Sequence, residues 1–248
     1  MSKYIVALLC VVSVVLSAPV RAAELRDLNF QMFDAAREGN STAVQGLLAQ
    51  GASINARNRF GNTPLLLAIR AGQRETADIL LAAGADVTIN NLNNISTVAA
   101  AAYNQDAALA RELIERGAPV NVVDNSGKTA MVYAAANGLS DVVALLLERG
   151  IAADARYGNA LTALMWAAGY GHAGTVSLLL VQGAKPDLQD DRGRSALMIA
   201  AENGHIGTVK VLLEGQADST LQDHDGHTAQ ALASAAGHSD SAALLAGQ

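Results

Sequence analysis

Gly61-Asn62-Thr63-Pro64-Leu65-Leu66-Leu67-Ala68 is followed by Gly72, by the apolar run Ile79-Leu80-Leu81 and by Gly84. Together these residues describe one helix-turn-helix unit. The Thr63 hydroxyl can accept an otherwise orphaned amide of the first helical turn. Pro64 then occupies the first helical position, where its missing N–H costs nothing. Gly72 interrupts the helix, a second helix carries Ile79, Leu80 and Leu81, and Gly84 can end it in a left-handed cap. Ala68 is small enough to let first helices approach one another closely. Working outward, Ser or Thr returns every 33 residues at Ser96, Thr129, Thr162, Ser195 and Thr228. Glycine keeps the same interval at Gly51, Gly84, Gly117, Gly150 and Gly183. Two residue types locked to one period mean a stack of short units that bury their apolar faces against each other. The expected fold class is all-α, a solenoid of about seven helix-turn-helix units with protruding turns.

The pattern resembles the ankyrin repeats. Thr63-Pro64-Leu65 is similar to the family's Thr-Pro-Leu-His, and Gly171-His172, Gly204-His205 and Gly237-His238 to its Gly-His step. The pairs Leu80-Leu81, Leu146-Leu147, Leu179-Leu180 and Leu212-Leu213 fall where the family has leucines. Helical units are expected to begin near Phe30, Thr63, Ser96, Thr129, Thr162, Ser195 and Thr228. The units run over 28–50, 51–83, 84–116, 117–149, 150–182, 183–215 and 216–248, in one domain from 23 to 248. The first and last are expected to serve as caps. The family histidine is replaced by Leu66, Ala99, Val132, Met165, Met198 and Ala231. Its turn-to-turn bond must therefore be absent or made otherwise, and apolar packing is expected to compensate. Gln216 stands where the series places glycine, with Gly215 one residue early, so that junction is expected to be distorted.

Residues 1–22 read as a secretory signal peptide: Lys3, the apolar run Ile5 to Leu16, and Val20-Arg21-Ala22 with cleavage after Ala22. The twelve-residue run is short of the roughly 20 needed to span a membrane, and an uncleaved anchor is the alternative. Cleavage would remove the one cysteine, Cys10, and both Lys3 and Arg21. That leaves 15 basic against 23 acidic residues, a net charge of −8. A mildly acidic, cysteine-free exported chain argues against nucleic acid and points to a periplasmic protein without membrane contact, expected to be a monomer.

The resemblance implies that turn tips and first helices line a concave binding face. Carried over by period, it assigns to partner binding Arg59, Phe60, Asn62, Arg70, Leu92, Ile95, Tyr103 and Asn104 in the earlier units. Asn125, Lys128, Asn137, Leu161, Tyr170, Arg192, Arg194, Glu202, His224 and His227 follow in the later ones. Phe60, Leu92, Ile95, Tyr103, Leu161 and Tyr170 would anchor a protein partner. The opposing reading is that they fold back over neighbouring turns. Tyr133 and Trp166 are expected to pack instead.

Catalytic patterns are missing: no Gly-x-Ser-x-Gly turn, no His-Glu-x-x-His helix and no phosphate-cradling glycine loop. His172, His205 and His238 recur at the period and read as framework. No enzyme and no cofactor are expected. Asp223-His224-Asp225-Gly226-His227, with Asp190 and Asp191 one period earlier, gathers groups that suit zinc or copper, although Asp and Gly are ordinary turn residues. The expected function is a non-catalytic protein-interaction module acting as an adaptor, chaperone or inhibitor. The alternative is a metal- or small-molecule-binding periplasmic stress protein.

Overall fold

The structure, a computed structural model, describes residues 22–247. The expected signal segment lies outside the described residues except for Ala22. Every regular element among the described residues is helical. Helix α1 covers 22–38 and α2 Ser41–Ala49; α3 (Pro64–Arg70) and α4 (Arg74–Ala82) form the next pair. Then come α5 (Thr97–Tyr103) with α6 (Ala107–Glu115), α7 (Ala130–Ala136) with α8 (Ser140–Glu148), and α9 (Ala163–Gly169) with α10 (Ala173–Val181). The last pairs are α11 (Ala196–Glu202) with α12 (Ile206–Glu214) and α13 (Ala229–Ala235) with α14 (Ser239–Leu245). No helix of the described residues is long and apolar enough to cross a membrane.

The chain divides into two compact units, one ending at Leu92 and the other starting at Asn93. In the first, α4 packs on both α2 and α3. In the second, α5, α7, α9, α11 and α13 pack in succession as one layer. Helices α6, α8, α10, α12 and α14 do the same as another layer, and each pair closes the gap between them.

The six expected Ser and Thr caps act as read. Each accepts the amide three residues on, at 3.1–3.5 Å. Five of the six are buried, from Thr63 at 1% to Thr129 at 5% exposed, so an unbonded hydroxyl there would be costly. Ala68, Ala101, Ala134, Ala167, Ala200 and Ala233 share one phase and are all fully buried. A larger side chain at that phase would push neighbouring first helices apart. Leu80, Leu146, Leu179 and Leu212, the first members of the leucine pairs, are also fully buried. Truncating any of them to Ala should cost about 2–5 kcal/mol.

Two expectations need correction. Helix α1 does not start near Phe30; it is already helical at residue 22, the first described residue, since Ala22 to Leu28 includes good helix formers and no Gly or Pro. The junction at Gln216 is not distorted. Gln216 itself takes a left-handed φ of 62°, and the turn keeps its bonds, Gln216 N–H to Leu213 O at 2.9 Å and Ala217 N–H to Leu212 O at 3.0 Å. Backbone strain of about 1–2 kcal/mol replaces a displaced turn. Asn94, Gln105 and Ala160 likewise stand at left-handed positions that glycine fills in sister units.

The missing histidine is made good in both of the expected ways. Its positions are packed by buried Leu66, Ala99, Val132, Met165 and Met198, but polar bonds also join the turns. Arg57 donates to Asn90 O at 3.0 Å, Arg156 to Gln189 O at 2.9 Å and Gln189 to Gln222 O at 2.9 Å. Each of these side chains reaches the carbonyl 33 residues later, so the tie is made otherwise as well as by packing. His172 Nε2 meets Ala136 O at 2.9 Å and His205 Nε2 meets Gly169 O at 3.0 Å, so both are framework as expected.

Candidate functional site

Four of the turn tips owe their shape to an Asn or Asp at one phase, Asn58, Asp124, Asp190 and Asp223. In the first compact unit, Asn58 Oδ1 accepts the amides of Phe60 at 2.9 Å and Asn62 at 3.0 Å. This local competition with the backbone is what makes Asn a turn residue. It leaves Arg59 and Phe60 projecting, with the Arg59 guanidinium 4.6 Å from the Phe60 ring centre. Leu92, 67% exposed, stands on the next tip, where its N–H donates to Phe60 O at 3.0 Å. Asn62 is buried and accepts from Asn91 at 2.9 Å. It therefore belongs to the framework, and exposed Arg70 rests one nitrogen on it at 3.5 Å.

In the second unit, Asp124, Asp190 and Asp223 play the part of Asn58. Asp124 accepts from Ser126, from the Lys128 amide and from the Tyr133 hydroxyl at 2.8 Å. Burial would raise its pKa, but these four bonds outweigh it and hold the carboxyl below its usual range. Burial and the bond to Asp124 push Tyr133 up to about 12.

Around this pair lie four aromatic rings in two contacting pairs. Tyr103 meets Tyr133 edge-on with centroids 5.6 Å apart, and Trp166 stacks on Tyr170 at 6.3 Å. Lys128 Nζ lies 5.7 Å from the Tyr133 ring centre and 5.6 Å from that of Trp166, joining the two pairs by cation–π contact. Tyr103 and Tyr170 are 65% and 58% exposed. Tyr133 and Trp166 are half-buried beneath them, as the sequence reading expected of both.

The remaining assigned residues divide. Asn125 and Arg192 are exposed, while Ile95, Leu161 and Asn104 are half-buried. Asn137 donates to Ala102 O at 2.9 Å and is tied to α5. Arg194, with a side chain only 16% exposed, bridges Asp190 at 3.1 Å and Glu202 at 3.0 Å. Arg194 and Glu202 are thus spent inside the stack.

Of the six metal candidates, the structure brings together Asp223, Asp225 and His227, whose ligand atoms lie within 4.8 Å of one another. Asp190 is committed to Arg194, and neither Asp191 nor His224 joins the group. Asp223 already accepts the amides of Asp225 and His227, which is turn chemistry.

Sequence reasoning missed one feature of the first unit. An open, mostly apolar groove of about 920 Å³ lies between α1 and the Ser53–Phe60 turn. It depends on the early start of α1, which the period gave no reason to expect.

No curated protein matches the chain. Among solved structures, the crystal structure of the human ASB11 ankyrin repeat domain superposes with a TM-score of 0.76 at 23% identity, covering 86% of this chain and 96% of that one. The model of ankyrin repeats matches three times, over residues 27–91, 83–157 and 164–248. With nearly all of the described helices inside those matches, the chain belongs to the ankyrin-repeat family.

Proposed function

We propose that this protein is a non-catalytic interaction module that holds a protein partner on its turn tips and first helices, as an adaptor, chaperone or inhibitor in the periplasm. Ankyrin repeats generally mediate protein–protein interaction, and no enzyme family is indicated. The observation that carries the reading for this chain is the surface formed by Tyr103, Tyr133, Lys128, Trp166 and Tyr170. Its outer tyrosines are exposed, while the inner pair is held by Asp124 and Lys128. Preset aromatic rings with few free rotors lose little entropy on binding, which is why such residues dominate interface energetics. The alternative metal-binding reading rests on the Asp223 turn alone, whose carboxylate is already occupied by its own backbone.

The test is affinity capture from a native periplasmic extract with wild-type protein and a Y103A/Y170A variant as baits. Both substitutions fall on exposed side chains, so the melting temperature should change little. A partner anchored there should bind the variant about thirtyfold more weakly, the scale of a single aromatic hot spot. Equal retention of every captured protein by the two baits would refute the assignment.

A further inference from the structure

The groove in the first compact unit gathers residues that are scarce elsewhere. The chain has three phenylalanines, Phe30, Phe33 and Phe60, and all three line it. Phe30 and Phe60 are 67% and 55% exposed. The period would place the start of the first helix at residue 31, yet α1 is already helical at residue 22. The added turns supply the wall from Leu25 to Phe30. The Ser53 N–H donates to Asn29 Oδ1 at 2.7 Å, which fixes that wall to the facing turn. The groove is therefore held open by a specific bond.

Its charge is equally distinctive. Arg26, Arg37, Arg57 and Arg59 line it against a single acid, Asp34, in a chain of net charge −6. Asp34 neutralises Arg37 at 2.8 Å, exposed Arg26 lies 3.9 Å from Asp27, and Arg57 is spent on the carbonyls of Gly61 and Asn90. Arg59 lies over Phe60 with its charge at the groove edge. Apolar rings inside, with the Arg59 guanidinium and the solvent-exposed Arg26 at the rim, call for an occupant with the complementary arrangement. Arg is well suited to carboxylates because its planar fork can donate two parallel bonds.

We propose that this groove binds a short peptide segment of a partner protein that carries large apolar anchors flanked by Asp or Glu. The volume is at the upper end of what a small-molecule pocket offers, enough for the few side chains on one face of a helical turn. Residues 1–21 of the chain itself are a poor match, since they contain Lys3 and Arg21 and no acid. The proposal rests on the interaction-module reading but assigns it a second site, separate in sequence from the aromatic surface.

The experiment uses the full chain and fluorescence anisotropy. The probe is a labelled 12-residue peptide with Leu and Phe spaced three and four apart and Glu elsewhere. The control has every Glu replaced by Lys. Expected are saturable binding of the Glu peptide, loss of at least about tenfold in affinity in the R59E variant, and no binding of the Lys peptide. The Y103A/Y170A variant should bind the Glu peptide as wild type does. If it does so while capturing the same proteins as wild type, the aromatic-surface reading fails and the groove stands. Equal binding of both peptides, an unchanged affinity in R59E, or binding only to vesicles of anionic phospholipid would overturn the proposal.

Discussion

Gly138 and His172 offer a test of how one repeat is fitted to the next. Gly138 has a φ of 70°, and a Cβ placed on it would lie 2.6 Å from His172 Nδ1, well inside contact distance. The same imidazole bonds Ala136 O through Nε2 at 2.9 Å. Gly138→Ala therefore carries two penalties. The left-handed backbone costs an L-residue about 1–2 kcal/mol. Displacing the imidazole forfeits a hydrogen bond worth about 0.5–1.5 kcal/mol. The total is about 1.5–3.5 kcal/mol. His172→Ala removes the bond alone, and once the ring is gone only the backbone penalty remains for Gly138→Ala. The double variant should then be more stable than the sum of the single losses by about 0.5–1.5 kcal/mol, in the range found for touching residues. Urea denaturation provides the assay. Trp166, the one tryptophan, reports on α9, while circular dichroism reports on the whole array; arrays can lose repeats stepwise, so both probes are needed. Strict additivity would refute the contact.

Two further outcomes are expected. Ser41 and Thr76 hydroxyls pair at 3.0 Å and Ser140 and Thr175 at 2.9 Å, but the corresponding partner of Thr208 is Ala173, and the buried Thr208 hydroxyl is unbonded. Ala173→Ser should supply that partner and raise stability by about 1 kcal/mol; no rise in the urea midpoint would count against the equivalence. Tyr133 keeps its proton up to about 12 in the folded chain, against about 10 when unfolded. Its contribution is present in full below about pH 10 and is lost as pH climbs toward about 12, because the unfolded chain releases the proton first. Urea midpoints between those values should fall less steeply in Tyr133→Phe than in wild type, and equal slopes would refute the assignment.

The units, their caps and their spacing were legible because each depends on residues adjacent in sequence. Thr63 caps α3 through an amide three residues away, and the leucine and alanine phases follow from helical geometry alone. The exposed aromatics were also legible one by one, since the period says which positions lie on a tip, as Phe60 does, or at the end of a first helix, as Tyr103 and Tyr170 do. What each does there was not. Arg194 and Tyr170 looked equally available, yet Arg194 closes a bridge between Asp190 and Glu202 while Tyr170 stacks outward on Trp166.

Sequence alone determined that this chain is an ankyrin-type stack, because short-range capping and apolar periodicity leave few other ways to bury its surface. Tertiary structure decided that Gln216 and Ala160 take up the left-handed backbone rather than distort their turns, how Arg57 and Gln189 replace the missing histidine ties, and that α1 extends to wall a groove. The turn ties and the groove depend on groups 20 or more residues apart. A local pattern carries no record of which distant carbonyl, ring or turn will lie within reach.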